Sequence, residues 1–174
     1  FYTSPQPIYD EMKHNNTISD MFQCTNDYPT IEDLKELVQD YKDRNGCLLL
    51  FDDTITSLLK DFENLFCNFS HHENTSIIFI TQNLFYKSGI YRTMSLNSHY
   101  IVIMKSTHDV QQITTLATQI CPSNTRYITE AYKDATKNPY DYLILDFKPD
   151  TDNKIRIRSR IFPHQLPATT YIEN

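Results

Sequence analysis

The sequence predicts an α/β layered fold with a mainly parallel sheet, and three observations carry that prediction. Short, wholly apolar runs such as Cys47–Phe51 and Ile77–Ile80 are of the kind buried on both faces of a parallel sheet. Segments with helical spacing of apolar residues separate them. Strand-like and helix-like stretches therefore alternate, the order that builds a parallel sheet covered by helices.

In chain order, Thr30 is placed to cap a helix carrying Ile31, Leu34, Leu37, Val38 and Tyr41. Asp33, three residues after that cap, supports the start, and Gly46 can close the helix as its C′ residue. The first strand, Cys47–Phe51, follows, and then a helix through Leu58, Leu59, Phe62, Leu65, Phe66 and Phe69. A polar turn over 70–75 leads to a second strand, 76–81. Residues 82–97 mix polar and aromatic side chains without periodicity and read as a long loop. Residues 100–104 form a third strand, 109–120 a helix capped near Ser106 or Thr107, and 124–136 another helix. Two closing strands, 142–147 and 154–161, are joined by the turn Pro149-Asp150-Thr151-Asp152-Asn153. The domain is expected to span 1–163, with 164–174 as a C-terminal tail.

A net charge of −6 and a pI near 5.4 argue against a surface that coats nucleic acid non-specifically. DNA held by a few loops lining a ring is still compatible with that charge. The apolar runs are too short to span a bilayer, so no membrane partner is expected. No signal-peptide pattern opens the chain. The four cysteines, Cys24, Cys47, Cys67 and Cys121, form no CxxC pair and read as free thiols in a reducing compartment. Three sequon matches, at Asn15, Asn68 and Asn74, read as chance in a chain rich in Asn, Ser and Thr. His71 and His72 are adjacent and make a poor metal pair.

Two strand ends carry the candidate chemistry. Leu48-Leu49-Leu50-Phe51-Asp52-Asp53 is a buried strand ending in two carboxylates, and parallel sheets present such ends at the ligand crevice. One acid can hold Mg²⁺ through water, and the other can orient or deprotonate an attacking water. The plain alternative is a helix N-cap favoured by the helix dipole. The second strand, in SIIFITQN, ends at Gln82, which can hydrogen-bond a γ-phosphate or the lytic water; a surface amide is its plain reading. Arg92, in GIYRTMSLN, is the one guanidinium of the polar segment and a candidate arginine finger toward a neighbouring subunit's nucleotide. Lys105 at the third strand's end can contact phosphate or simply be solvated. Asp141, Asp146 and Lys148 suggest the carboxylate-x-lysine arrangement of metal-dependent nucleases, although both acids would lie on one strand.

The stretches LLLFDD, SHHENTSIIFITQNLF, YRTMSLNSHYIVIMK, AYKDATKNPYDYLILDFKPDT and RIRSRIFP resemble the packaging-type ATPases of Maverick/Polinton elements and related DNA viruses. These belong to the FtsK–HerA group of P-loop motors. The resemblance runs from about Phe1, where FYTSPQPIYDEM looks like the strand and helix after the P-loop helix, to Pro163. It implies a RecA-like (ASCE P-loop NTPase) layered fold lacking the P-loop strand and helix. It further implies ATP and Mg²⁺ as cofactors and double-stranded DNA as the translocated partner. A homo-oligomeric ring is implied too, with capsid portal or vertex proteins nearby. By position Asp52 matches the Walker B metal-holding acid, Asp53 the catalytic acid, Gln82 the polar sensor and Arg92 the finger. The implied location is the host nucleus or cytoplasm, with virion association during packaging.

One departure limits this. A P-loop, GxxxxGK[ST], needs two glycines five apart so that backbone amides can wrap the phosphates. The chain has two glycines, Gly46 and Gly89, and neither precedes a lysine. Walker A is absent from these residues, and in the family it would precede Phe1. The chain alone is therefore expected to be inactive as an ATPase. Two alternatives stand beside the motor: a decayed or divided, non-catalytic module that binds a partner, and the metal-dependent nuclease.

Overall fold

A computed structural model describes residues 1–16, 18, 20, 29–42, 46–53, 64–82, 89–106, 110–165 and 167–173. The chain divides into two compact units, Phe1–Asn97 and Ser98–Asn174.

The first unit is built on parallel pairing. Helix α1 spans Pro7–His14, with proline at its first position, where the missing N–H costs nothing. Helix α2 spans Ile31–Lys42. The expected cap is present and reciprocal: Thr30 Oγ1 accepts from the Asp33 N–H at 3.2 Å, and Asp33 Oδ2 accepts from the Thr30 N–H at 2.8 Å. Aspartate thus does the work a glutamate more often does in a capping box. It also holds the Asp33 carboxyl below its ordinary range, through the Thr30 backbone first.

Strand β1, Cys47–Asp52, pairs in parallel register with β2, Thr75–Ile80, setting Leu48 beside Ser76 and Asp52 beside Ile80. On its other side β1 takes Tyr2 in a parallel bridge to Asp52. Between the strands, a π-helical turn, Leu65–Phe69, runs into Ser70–His72; together these are α3. The first part of the expected helix, including Leu58, Leu59 and Phe62, lies outside the described residues. One face of the β1–β2 pair supplies Leu49 and Phe51, which pack with Leu34 and Val38 of α2 and Leu65 and Phe69 of α3. Phe51 is fully buried and stacks between Phe1 and Phe79, at ring distances of 5.0 and 6.0 Å.

Residues 89–97 correct the loop expected over 82–97: Gly89–Asn97 is a helix, α4. Ile90 and Met94 sit four apart, and Met94 is buried in the core. With Leu96 and Asn97 exposed, the face is too narrow to register as periodicity. Helix α2 is described as far as Lys42, and the C′ role expected of Gly46 turns on residues 43–45, which lie outside the described residues; Gly46 itself stands at the entrance to β1 with φ +83°.

The second unit is an antiparallel four-stranded sheet in the order β3-β4-β5-β6, with β3 Tyr100–Met104, β4 Tyr142–Asp146, β5 Ile157–Ser159 and β6 Thr169–Tyr171. Helices α5, Val110–Ile120, and α6, Thr125–Ala135, connect β3 to β4. Asn124 caps α6, its side chain accepting from the Tyr127 N–H at 3.1 Å. Of the two cap positions expected for α5, Thr107 lies outside the described residues, and the Ser106 N–H donates to the Tyr132 hydroxyl at 2.9 Å. Leu116, Ile128, Leu143 and Leu145 are almost fully buried and fill this unit's core.

The expectation of a mainly parallel sheet therefore applies to β1 and β2 but not to β3–β6. The periodicity of β3, with Ile101 and Ile103 buried and Tyr100, Val102 and Met104 about half exposed, suits an edge strand with one covered face. Two further boundaries shift. Within 154–161 only Ile157–Ser159 is strand, because the Asp152 side chain captures the Lys154 N–H and turns Asn153–Ile155 into a 3₁₀ turn. Residues expected in a tail supply β6, anchored where the Tyr127 hydroxyl donates to Tyr171 O at 2.7 Å.

Candidate functional site

The β1–β2 register brings both strands' carboxyl ends to one edge, and Asp52, Asp53 and Gln82 gather there. The ladder runs one residue beyond the strands, since the Asp53 N–H donates to Ile80 O at 3.1 Å. Asp53 then turns left-handed, φ +50°, a conformation aspartate tolerates better than most residues. The turn gives the neighbouring acids different surroundings. Gln82 Nε2 donates to Asp53 Oδ2 at 3.3 Å on the exposed rim. Asp52 is half-buried and faces the other way, where its Oδ2 accepts from the Tyr9 hydroxyl of α1.

Tyr9 is the residue sequence reasoning missed. Its phenol is pushed up to about 12, first by burial and then by its bond to Asp52, so it stays protonated over the ordinary pH range. The Tyr9 ring leans on Tyr2 at 4.9 Å, and the Asp52 N–H donates to Phe1 O at 2.9 Å. The segment before α2 thus fixes the first acid from one side, as β2 fixes the second from the other. A tyrosine two residues past a proline-initiated helix start carried no signal of this in the sequence.

The fit to a divalent cation can be judged from this geometry. Among the described residues no cluster of three or more His, Cys, Asp or Glu side chains could form a protein cage. Mg²⁺ does not need one: it keeps several waters and takes one or two carboxylates plus substrate phosphates. A half-exposed carboxylate at a parallel strand end, with one oxygen held by Tyr9 and the other facing no donor among the described residues, fits that mode. The described residues hold no phosphate cradle. A Cβ on Gly46 would meet Asn74 O at 2.6 Å, so that glycine is committed to the chain crossing at the foot of β1, and Gly89 begins α4.

Arg92 lies within α4, and its side chain is outside the described part of the structure. Lys105 is exposed, and its Nζ donates to Lys137 O at 2.6 Å.

The nuclease residues are not brought together. Asp141 Oδ2 accepts from the Asn138 N–H and side-chain amide, both at 2.9 Å, and these bonds hold its carboxyl below the usual range. Asp146 stands at the far end of β4, about 16 Å away at five residues of strand rise. It is buried, ion-paired with Arg158 at 2.7 Å, and accepts from the Lys148 N–H and Thr151 hydroxyl, both at 3.1 Å. Its oxygens are spent on structure.

Among the described residues, Cys47, Cys67 and Cys121 are free thiols, and no helix is long and apolar enough to cross a membrane. No protein-family model, curated protein or solved structure matches the chain.

Proposed function

We propose that this chain carries the Walker B side of a P-loop motor ATPase of RecA-like fold, one that drives double-stranded DNA through a homo-oligomeric ring, in packaging into a capsid. Asp52 holds Mg²⁺ of the bound ATP, Asp53 orients the attacking water, and Gln82 reads the γ-phosphate. The ion supplies charge neutralisation on the phosphates. The observation that carries this reading is the contact between Gln82 and Asp53 at the carboxyl ends of two parallel strands in register. That edge is where open α/β sheets bind ligands.

Topology gives independent support. The steps from Tyr2 to β1 and from β1 to β2 run in one direction across the sheet, so right-handed crossovers put one helix of each, α2 and α3, on the same face. The core agrees, since α2 and α3 both pack on the Leu49–Phe51 face. The opposite face leaves Leu48 57%, Ile78 45% and Ile80 46% exposed, although parallel sheets are ordinarily covered on both sides. A strand added at the outer edge of β2 and returning to Phe1 reverses direction, and its right-handed crossover would lay a helix on that bare face. The reading requires just such a strand and helix, to bring the P-loop.

The test is ATP hydrolysis by the natural full-length protein. Asp53→Asn abolishes turnover while sparing nucleotide binding; undiminished hydrolysis by that variant sinks the assignment. A second reading, a non-catalytic module that binds a partner, is favoured by the want of a phosphate cradle in these residues. Titration of ATP·Mg²⁺ into the 174-residue chain separates the two, because tight binding counts against the non-catalytic reading.

A further inference from the structure

Between helix α6 and strand β4 the chain turns through Asn138-Pro139-Tyr140-Asp141. Three hydrogen bonds close this turn. Asp141 Oδ2 accepts from the Asn138 N–H and side-chain amide, both at 2.9 Å, and the Asp141 N–H donates to Asn138 O at 3.3 Å. Pro139 takes the first corner and Tyr140 the second, with φ +65°. Proline-led turns with positive φ at the second corner ordinarily place glycine or asparagine there, because a Cβ is strained in that conformation. Little of the fold's own packing offsets that strain. Tyr140 is 85% exposed, the most exposed large apolar or aromatic side chain among the described residues. A strained ring held out on a closed turn is placed for a partner outside the chain.

Cations flank the turn. Lys105 lies along it, its N–H donating to Asp141 O at 3.2 Å and its Nζ to Lys137 O at 2.6 Å. That contact uses one of three ammonium protons. Arg160 is exposed and within electrostatic reach of the Asp141 carboxyl, adding to the lowering that the Asn138 bonds bring about. An aromatic face beside ammonium and guanidinium groups is the pairing that holds single-stranded nucleic acid, since every base can stack and every phosphate seeks a cation.

We propose that the turn from Asn138 to Asp141 is a contact point for single-stranded nucleic acid, with an unpaired base stacked on Tyr140 and neighbouring phosphates on Lys105 and Arg160. The proposal does not rest on the nucleotide reading, because none of its residues belongs to the β1–β2 edge.

The experiment follows binding of the 174-residue chain to a fluorescent dT oligonucleotide by anisotropy at low salt. Wild type binds it, and binds an abasic strand of equal length and the corresponding duplex more weakly. Tyr140→Phe keeps the affinity. Tyr140→Gly loses roughly tenfold, the weight of one stacked base, while its Tm stays close to that of wild type. Lys105→Ala weakens binding and flattens its dependence on salt. Equal affinity of Tyr140→Gly and wild type, or of the abasic and dT strands, overturns the stacking. A duplex held as tightly as dT overturns the preference for unpaired bases. A Tm that falls with affinity in Tyr140→Gly makes Tyr140 a structural residue, and no binding by wild type removes the site.

Discussion

Gln82 and Asp53, 29 residues apart in sequence, are joined by a 3.3 Å hydrogen bond at the exposed rim of the parallel strand pair. Because both groups are exposed, that bond adds little to stability, and Gln82→Ala should leave the unfolding free energy within about 0.5 kcal/mol of wild type. Its effect should fall on chemistry. Loss of one preorganised donor costs about 10²-fold in turnover where it acts on the reacting phosphate. Thermal unfolding of the chain, paired with ATP turnover of the full-length protein, separates the two. A large drop in Tm with unchanged turnover would make Gln82 a structural residue.

Gly46 stands at a backbone position that another residue would strain. It combines φ +83° with a backbone oxygen, Asn74 O, only 2.6 Å from where a Cβ would stand, and the Cys47 N–H donates to the same oxygen at 3.3 Å. An L side chain there meets both left-handed strain and a clash with main chain that cannot rotate away. Gly46→Ala should cost about 2–4 kcal/mol. Urea unfolding of the first unit, followed by a probe near Phe51, measures it.

Strands β1–β4 and helices α2, α5 and α6 were legible because each has a strong local signal. The apolar runs of β1 and β2 and the Thr30–Asp33 cap could be read directly. What was not legible depends on partners distant in sequence. Whether β3 runs parallel or antiparallel is decided by β4, some forty residues on, and no pattern within Tyr100–Met104 encodes it. Three-residue β6 has no periodicity to read and exists because β5 and Tyr127 hold it. At the site, Asp52, Asp53 and Gln82 were visible as polar ends of apolar strands. Tyr9 was not, since its role is created by how α1 lies against the end of β1.

Asp146 and Arg158 form a buried ion pair, with side-chain exposures of 2% and 22%. Truncating one partner leaves the other charged and unpaired, so Asp146→Ala should destabilise by about 3–5 kcal/mol. Lys148→Ala should change stability by less than about 0.5 kcal/mol, because Lys148 contributes its main chain: its N–H to Asp146 and its carbonyl to Arg156. Urea denaturation of both variants tests this. Equal, large losses would mean that the Lys148 ammonium is part of the cluster, and would reopen a shared role for it with Asp146.

Tyr9 predicts an alkaline limit for the first unit. Its pKa rises from 10.0 to about 12 on folding, so the folded state favours the neutral phenol. That stabilisation is complete below pH 10 and is lost as pH climbs through about 12. Stability should therefore fall across this window, and Tyr9→Phe should lose that share of the slope. Tyr127 and Tyr171 in the second unit are also raised, chiefly by burial, so the difference between wild type and Tyr9→Phe is the quantity to measure. Burial is the larger cause at Tyr9 and the bond to Asp52 the second. Asp52→Asn should accordingly bring the phenol only part of the way back toward 10, as read by tyrosinate absorbance. A full return would mean that Asp52 alone sets the shift, and no movement that the hydroxyl is not on the carboxylate.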